Sequence, residues 1–269
     1  TQWAEVETDR FARPVFRLFQ PEIETVYEEK NRSRDSKEYA IREAVHAALY
    51  EGHPYGRTIL GSVEHLKRPS IQRMYDFVDK HYVPSNMAIV ISGDIDAAQA
   101  IQVLDEHFSQ WEPKDAPEAP THRAEPVEGA RRVSVQYPGE EYVLIAFRTV
   151  PNGHPDVETL ALLDMILDNA TAGLINLNLT QTQVVRAAGS SPLASNDYGA
   201  QYLWGVPKEG QTLAEVESLL LEQVELVKAG QFEDWIIPAI VTDFKKSEKA
   251  QLESNTARAG IMRSAFTEH

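Results

Sequence analysis

Pro113, Pro117, Pro120 and Pro126, mixed with Ala and Glu between Trp111 and Gly129, constrain this chain more than any other stretch. Each proline fixes its own φ and removes a backbone donor, so the segment can be neither a helix interior nor a central strand. It is expected to run as an extended, semi-rigid connector over residues 112–129. The 269 residues then divide into a first part, 1–111, and a second part, 130–269.

In the first part, Asp35-Ser36 offers a cap, and Tyr39, Ile41, Ala44, Val45, Ala48 and Leu49 follow at helical spacing up to Tyr50, where Gly52-His53-Pro54-Tyr55-Gly56 stops the helix. A second helix is expected after Ser70, with Ile71, Met74, Tyr75, Val78 and Tyr82 forming an apolar stripe that faces a core, and Pro84 ends it. Met87 to Ser92 is an apolar run bounded by turn residues and reads as a buried strand. Asp96 then caps a helix that turns Ala97, Ala100, Ile101, Leu104 and Phe108 inward.

The second part restarts with alternating Val133, Val135 and Tyr137, a turn at Pro138-Gly139 and the run Tyr142 to Phe147, a pattern that predicts an antiparallel hairpin. Helices are expected from about Pro155 to Asn169 and from Leu213 to Val227, and the tail after Trp235 is helical in pattern up to His269 without an evident stop. Asn169 to Leu174 reads as a loop before a helix, and Asn196-Asp197-Tyr198-Gly199 as a hairpin turn. Strands and helices segregated in this way give an α+β fold, with antiparallel sheets packed against helices.

The formal net charge is −15, from 41 acidic against 26 basic side chains, which argues against nucleic acid as a ligand because phosphate binding needs a basic footprint. Solubility explains the excess, and an acidic chamber that prefers basic peptides would too. Without cysteine there is no disulfide and no thiolate ligand or nucleophile, so a metal would need His and carboxylates. No stretch approaches about 18 uninterrupted apolar residues, so no membrane span is expected. The beginning, Thr1-Gln2-Trp3-Ala4-Glu5, is neither an initiator Met nor a signal peptide, and it reads as a cut from something longer. Cytoplasmic and periplasmic locations both stay open.

The histidines stand at 46, 53, 65, 81, 107, 122, 154 and 269, and no two are four apart. A zinc peptidase helix needs two imidazoles on one face with a Glu between or beside them, so neither H-E-x-x-H nor H-x-x-E-H exists here. His46 and His107 are expected to be packing or surface residues. Glu22 and Glu29, seven apart with Val26 between them, would share one face of a helix. That pattern, E-x-x-x-V-x-x-E, also suits an ordinary acidic amphipathic helix.

The order of these pieces carries a resemblance. E-x-x-x-V-x-x-E, a helix, His53-Pro54-Tyr55-Gly56, Ile59-Leu60-Gly61, a helix reaching His81-Tyr82-Val83-Pro84-Ser85-Asn86-Met87, and Val90 to Asp96 together resemble the M16 family of insulinase, pitrilysin and mitochondrial processing peptidase. The match in order and spacing covers about residues 20–111, and residues 130–269 resemble more loosely the opening of a second domain of the same metallohydrolase-like fold. Both domains would be incomplete.

The resemblance implies a zinc metalloendopeptidase that hydrolyses peptides in a closing chamber. In that family H-x-x-E-H supplies two ligands and the general base, and a later Glu completes the metal shell. Glu29 matches that Glu, Glu28 is the alternative register, and Glu22 matches a supporting acidic position. Because H-x-x-E-H is missing, no catalytic residue lies within the chain, which alone should be inactive and hold no zinc. The implied partners are peptide substrates and further M16 domains or a second M16 subunit. The other reading is a non-catalytic M16 partner or scaffold that binds peptides or an active subunit. An Arg and Tyr spaced R-x-x-x-x-x-x-Y, which hold substrate in the family's second domain, are not evident, since after Arg186 the next Tyr is Tyr198.

Overall fold

Side-chain caps decide where most helices of the first unit begin. In the computed structural model, which describes residues 2–169 and 171–268, the chain divides into two compact units between Val135 and Gln136. Thr1, Ala170 and His269 lie outside the described residues. With them go the expected cut end, the middle of the 169–174 loop and one of the histidines.

The first unit opens with α1 (Gln2–Ala12) and α2 (Phe19–Arg34). α3 (Lys37–Leu49) starts where Ser36 accepts from Tyr39 N, and a short α4 (Val63–Lys67) is capped by Ser62. Ser70 caps α5 (Ile71–His81) and Asp96 caps α6 (Ala97–Phe108), each side chain satisfying one backbone donor that the first turn leaves unpaired. Phe11 of α1 stacks on Tyr82 and Trp111, with ring centroids 6.2 Å and 6.4 Å away. These contacts hold α1 against the chain that leaves α5 and α6.

Two expectations for this unit are corrected. Met87 to Ser92 is extended but is not a strand, and Ile89 and Ile91 are exposed rather than buried. A strand is defined by a hydrogen-bonded neighbour, and no described segment pairs with this run. The stripe on α5 does not face a core, because Ile71, Met74 and Tyr82 are exposed, and so is Ile101 of α6. Residues 112–129 carry no helix or strand and cluster with the first unit.

The second unit holds the described sheet. β1 (Val143–Thr149), β2 (Ala187–Leu193) and β3 (Gly199–Val206) are antiparallel in the order β1-β3-β2. Ile145 and Ser190 both face Leu203 across the central strand. The expected hairpin of residues 133–147 is therefore corrected, since β1 takes β3 as its partner and Val133 stays exposed outside the sheet. β2 and β3 are joined through Ala194 to Tyr198, where the sequence placed a turn.

α7 (Val157–Leu167), a π-helical turn (Asn176–Thr180), α8 (Leu213–Lys228), α9 (Ile236–Leu252) and α10 (Asn255–Thr267) complete the unit. Leu167, Ile175, Leu179, Val185, Leu203, Val216 and Leu220 form the main core, and Ile166, Leu174, Ile236 and Ile240 a second cluster that seats α9 on α7. A capping box fixes the start of α8, with Thr212 Oγ1 accepting from Glu215 N and the Glu215 carboxylate accepting from Thr212 N. Donation from the Thr212 N–H and from its hydroxyl to the carboxylate holds the Glu215 carboxyl below its ordinary value. The fold is α+β, a small antiparallel sheet with helices packed on it.

Candidate metal-ligating site

The acidic pair sits on α2, and a lysine fixes how that helix is turned. Lys30 is only 4% exposed, and its Nζ donates to Tyr39 Oη at 3.0 Å, Glu43 Oε1 at 3.3 Å and Thr58 Oγ1 at 3.2 Å. Tyr39 and Thr58 hydroxyls are hydrogen-bonded to each other, and the Tyr39 ring lies 5.1 Å from the ammonium. Burial works against the charge on Lys30, but the bonds to Tyr39 and Glu43 outweigh it and raise the ammonium above the ordinary lysine value.

With Lys30 turned inward, helical geometry of about 100° per residue places the neighbouring carboxylates. Glu29 and Glu22 fall roughly 80–100° round from Lys30, on the flank shared with Val26, while Glu28 falls roughly 160° round, on the outer face. All three glutamates are exposed. Among the described residues no group of three His, Asp or Glu side chains comes close enough to hold a metal ion.

The histidines have other uses. His53 Nδ1 accepts from Tyr55 N at 3.1 Å, which fixes the turn at Pro54, and its ring meets Tyr55 and His122 edge-on. His46 packs edge-on against Tyr50, and burial lowers its tendency to protonate. His107 Nε2 is buried without a hydrogen-bond partner among the described residues. Arg186 and Tyr198 go separate ways, Arg186 into an ion pair with Glu140 and Tyr198 under the guanidinium of Arg148 at 5.1 Å.

Sequence reasoning missed a second polar cluster, in the second unit. Asp164 Oδ1 accepts from Ser190 Oγ and from Gln201 Nε2, both at 2.6 Å, and Asp168 Oδ2 accepts from Ser190 N at 3.1 Å. Burial pushes the Asp164 carboxyl up, the two hydrogen bonds pull the other way, and the nearby Asp168 charge adds to the rise. Two carboxylates tied by strand donors are a tether between α7 and the sheet. No spacing signal marks it, because the partners come from three elements. Lys30 was missed for a related reason: a lysine is normally a surface residue, and its partners are 9, 13 and 28 positions away.

Residues 70–243 match the family model described as Peptidase M16 inactive domain. Core protein I of the mitochondrial ubiquinol-cytochrome-c reductase complex of Euglena gracilis is 29% identical over 147 residues, 54% of this chain and 29% of that protein. An uncharacterized zinc protease of Mycobacterium leprae is 29% identical over 87 residues, 32% of this chain and 20% of its own length. In structure, a protease from Helicobacter pylori superimposes with a TM-score of 0.87 at 19% identity, over 99% of this chain and 67% of that one. The chain thus spans less than a third of the length of either relative. Together with the order of motifs around α2 and α5, the match over residues 70–243 shows that the chain belongs to the peptidase M16 family.

Proposed function

We propose that this chain is part of a zinc-dependent metalloendopeptidase of the M16 type, which hydrolyses peptides in a closing chamber, and that Glu29 gives one carboxylate to the zinc. The observation that carries this reading is the orientation of α2: the buried Lys30 puts Glu29 and Glu22 together on one flank and sends Glu28 to the outer face. That supports Glu29 over the Glu28 register, with Glu22 one helical repeat earlier as its support. The two imidazoles and the general base then belong to residues outside this chain, and the chain alone is inactive and binds no zinc. The relative named as a zinc protease supports the same assignment. No described helix is long and apolar enough to cross a membrane.

A non-catalytic partner or scaffold is the second reading, favoured by the similarity to core protein I of a respiratory complex. The two differ in the protein from which the chain comes: the peptidase carries H-x-x-E-H, the scaffold does not. Given that motif, zinc content is measured in the intact protein and in its Glu29→Gln and Glu28→Gln variants. Loss of stoichiometric zinc in Glu29→Gln alone is the expected result. Unchanged zinc there refutes the ligand assignment.

A further inference from the structure

One stretch of the first unit has the composition of a strand without a strand's neighbour. Met87 N donates to Pro84 O, and among the described residues no hydrogen bond reaches the backbone N–H or C=O groups of Ala88, Ile89, Val90 and Ile91. The run is extended and wholly apolar, yet Ile89 is 43% and Ile91 41% exposed. Beside it lies a groove of about 530 Å³ whose other walls include Trp3 and Phe11 of α1, Phe108 and Trp111. Extended backbone with unpaired polar groups and apolar side chains is a template for an added strand.

We propose that residues 88–91 pair antiparallel with the same residues of a second copy of this chain, so that two chains share a short ribbon. The run is its own complement. Centred between Ile89 and Val90, the pairing sets Ala88 opposite Ile91 and Ile89 opposite Val90, apolar against apolar throughout. The acidic end of each run, Asp94 and Asp96, then meets the uncharged end of the other, Pro84 to Asn86. Parallel pairing would instead lay Asp94 beside Asp94, which like-charge repulsion disfavours.

A contact of a surface with itself about a two-fold axis is closed, so association stops at the dimer. The groove beside the run gives the partner's apolar side chains a place out of water. Each copy carries a net charge of −15 and repels the other at long range, so a dimer held by backbone bonds and apolar contact grows tighter as salt screens that charge. The inference stands whether or not the zinc reading does.

Sedimentation equilibrium on this chain tests it. Two strands alone make a marginal contact, so a weak dimer is expected, with a dissociation constant on the order of 10–100 μM that falls as salt is added. Ile89→Lys brings a cation to each side of the ribbon and should weaken the dimer at least about tenfold. Ile91→Lys should act alike, so the test does not hang on one variant. Ile237→Lys, on an exposed position of α9, should leave the dimer unchanged. Circular dichroism should show the same helicity in all of them, because each replaced side chain is exposed. A chain that stays monomeric well above this concentration range would overturn the proposal. So would a dimer that both lysine variants of the run leave intact, which would place the contact elsewhere, or one that salt dissociates, which would make it a pairing of charges.

Discussion

Gln201 Nε2 donates to Asp164 Oδ1 across 2.6 Å, joining the central strand of the second unit to α7 through a carboxyl group whose ionisation burial disfavours. The Gln201 side chain is 4% exposed, and its Oε1 has no partner among the described residues, so the link carries an unmet polar atom as well as an unfavourable charge.

The contribution of Asp164 to the stability of the second unit should therefore fall as pH rises through the acidic range. The Asp164 carboxyl has a higher pKa folded than unfolded, so the folded state holds more protons between the unfolded value of about 3.9 and the folded one. Its contribution is fully present below the unfolded value and lost as pH passes the folded value. Urea midpoints of the chain and of Asp164→Asn, compared from pH 4 to 7, check this. The variant should lose the falling component, and an unchanged slope would rule Asp164 out as its source.

Lys30→Met should destabilise the first unit by about 1–3 kcal/mol, the range for a hydrogen-bonded group removed from buried partners. The larger cost of breaking a fully buried ion pair does not apply, because the Glu43 side chain is 43% exposed and can return to water. Thermal unfolding at neutral pH measures the loss. Since the ammonium has a raised pKa, its contribution is complete below the ordinary lysine value and disappears only as pH climbs through the folded one.

How much was legible follows from these two residues and their neighbours. Helix starts were read correctly where a side-chain cap marks them, as at Ser36, Ser70 and Asp96, while the apolar stripes behind Ser70 and Asp96 were not. The run from Met87 to Ser92 was misread because apolar content says that a segment would suit a strand, while a strand needs a neighbour that sequence spacing does not name. The same limit put Tyr142 to Phe147 in a hairpin with residues 133–137, when the strand pairs with Leu203 and its flanks. For α2, spacing placed Glu22 and Glu29 on one face, but the direction of that face came from Lys30, which only the tertiary contacts reveal.

Gly205→Ala should cost about 1–3 kcal/mol, the usual penalty for overpacking a tight core. A Cβ at 205 would meet Val216 Cγ1 at 2.5 Å and Leu220 Cδ1 at 3.2 Å, so α8 must lift from the sheet or both side chains must leave their rotamers. Pairing the change with Val216→Ala, which removes the obstructing methyl, should recover part of the loss. A double mutant no better than the sum of the two singles would show that the contact is not the cause.

Gln183→Gly should stabilise the second unit by up to about 1 kcal/mol. Gln183 has φ 55°, in the left-handed region, where a side chain costs roughly 1–2 kcal/mol that glycine avoids. Against this gain stands the extra backbone freedom that glycine loses on folding, roughly 0.5–1 kcal/mol. The residue is exposed, and the turn it makes is held by its own N–H donating to Thr180 O at 3.0 Å, so no packing is lost with the side chain. Denaturant unfolding of the variant decides the sign. A midpoint raised with an unchanged m-value places the effect in the turn, whereas a lowered midpoint means that Gln183 contributes more through its side chain than its backbone loses.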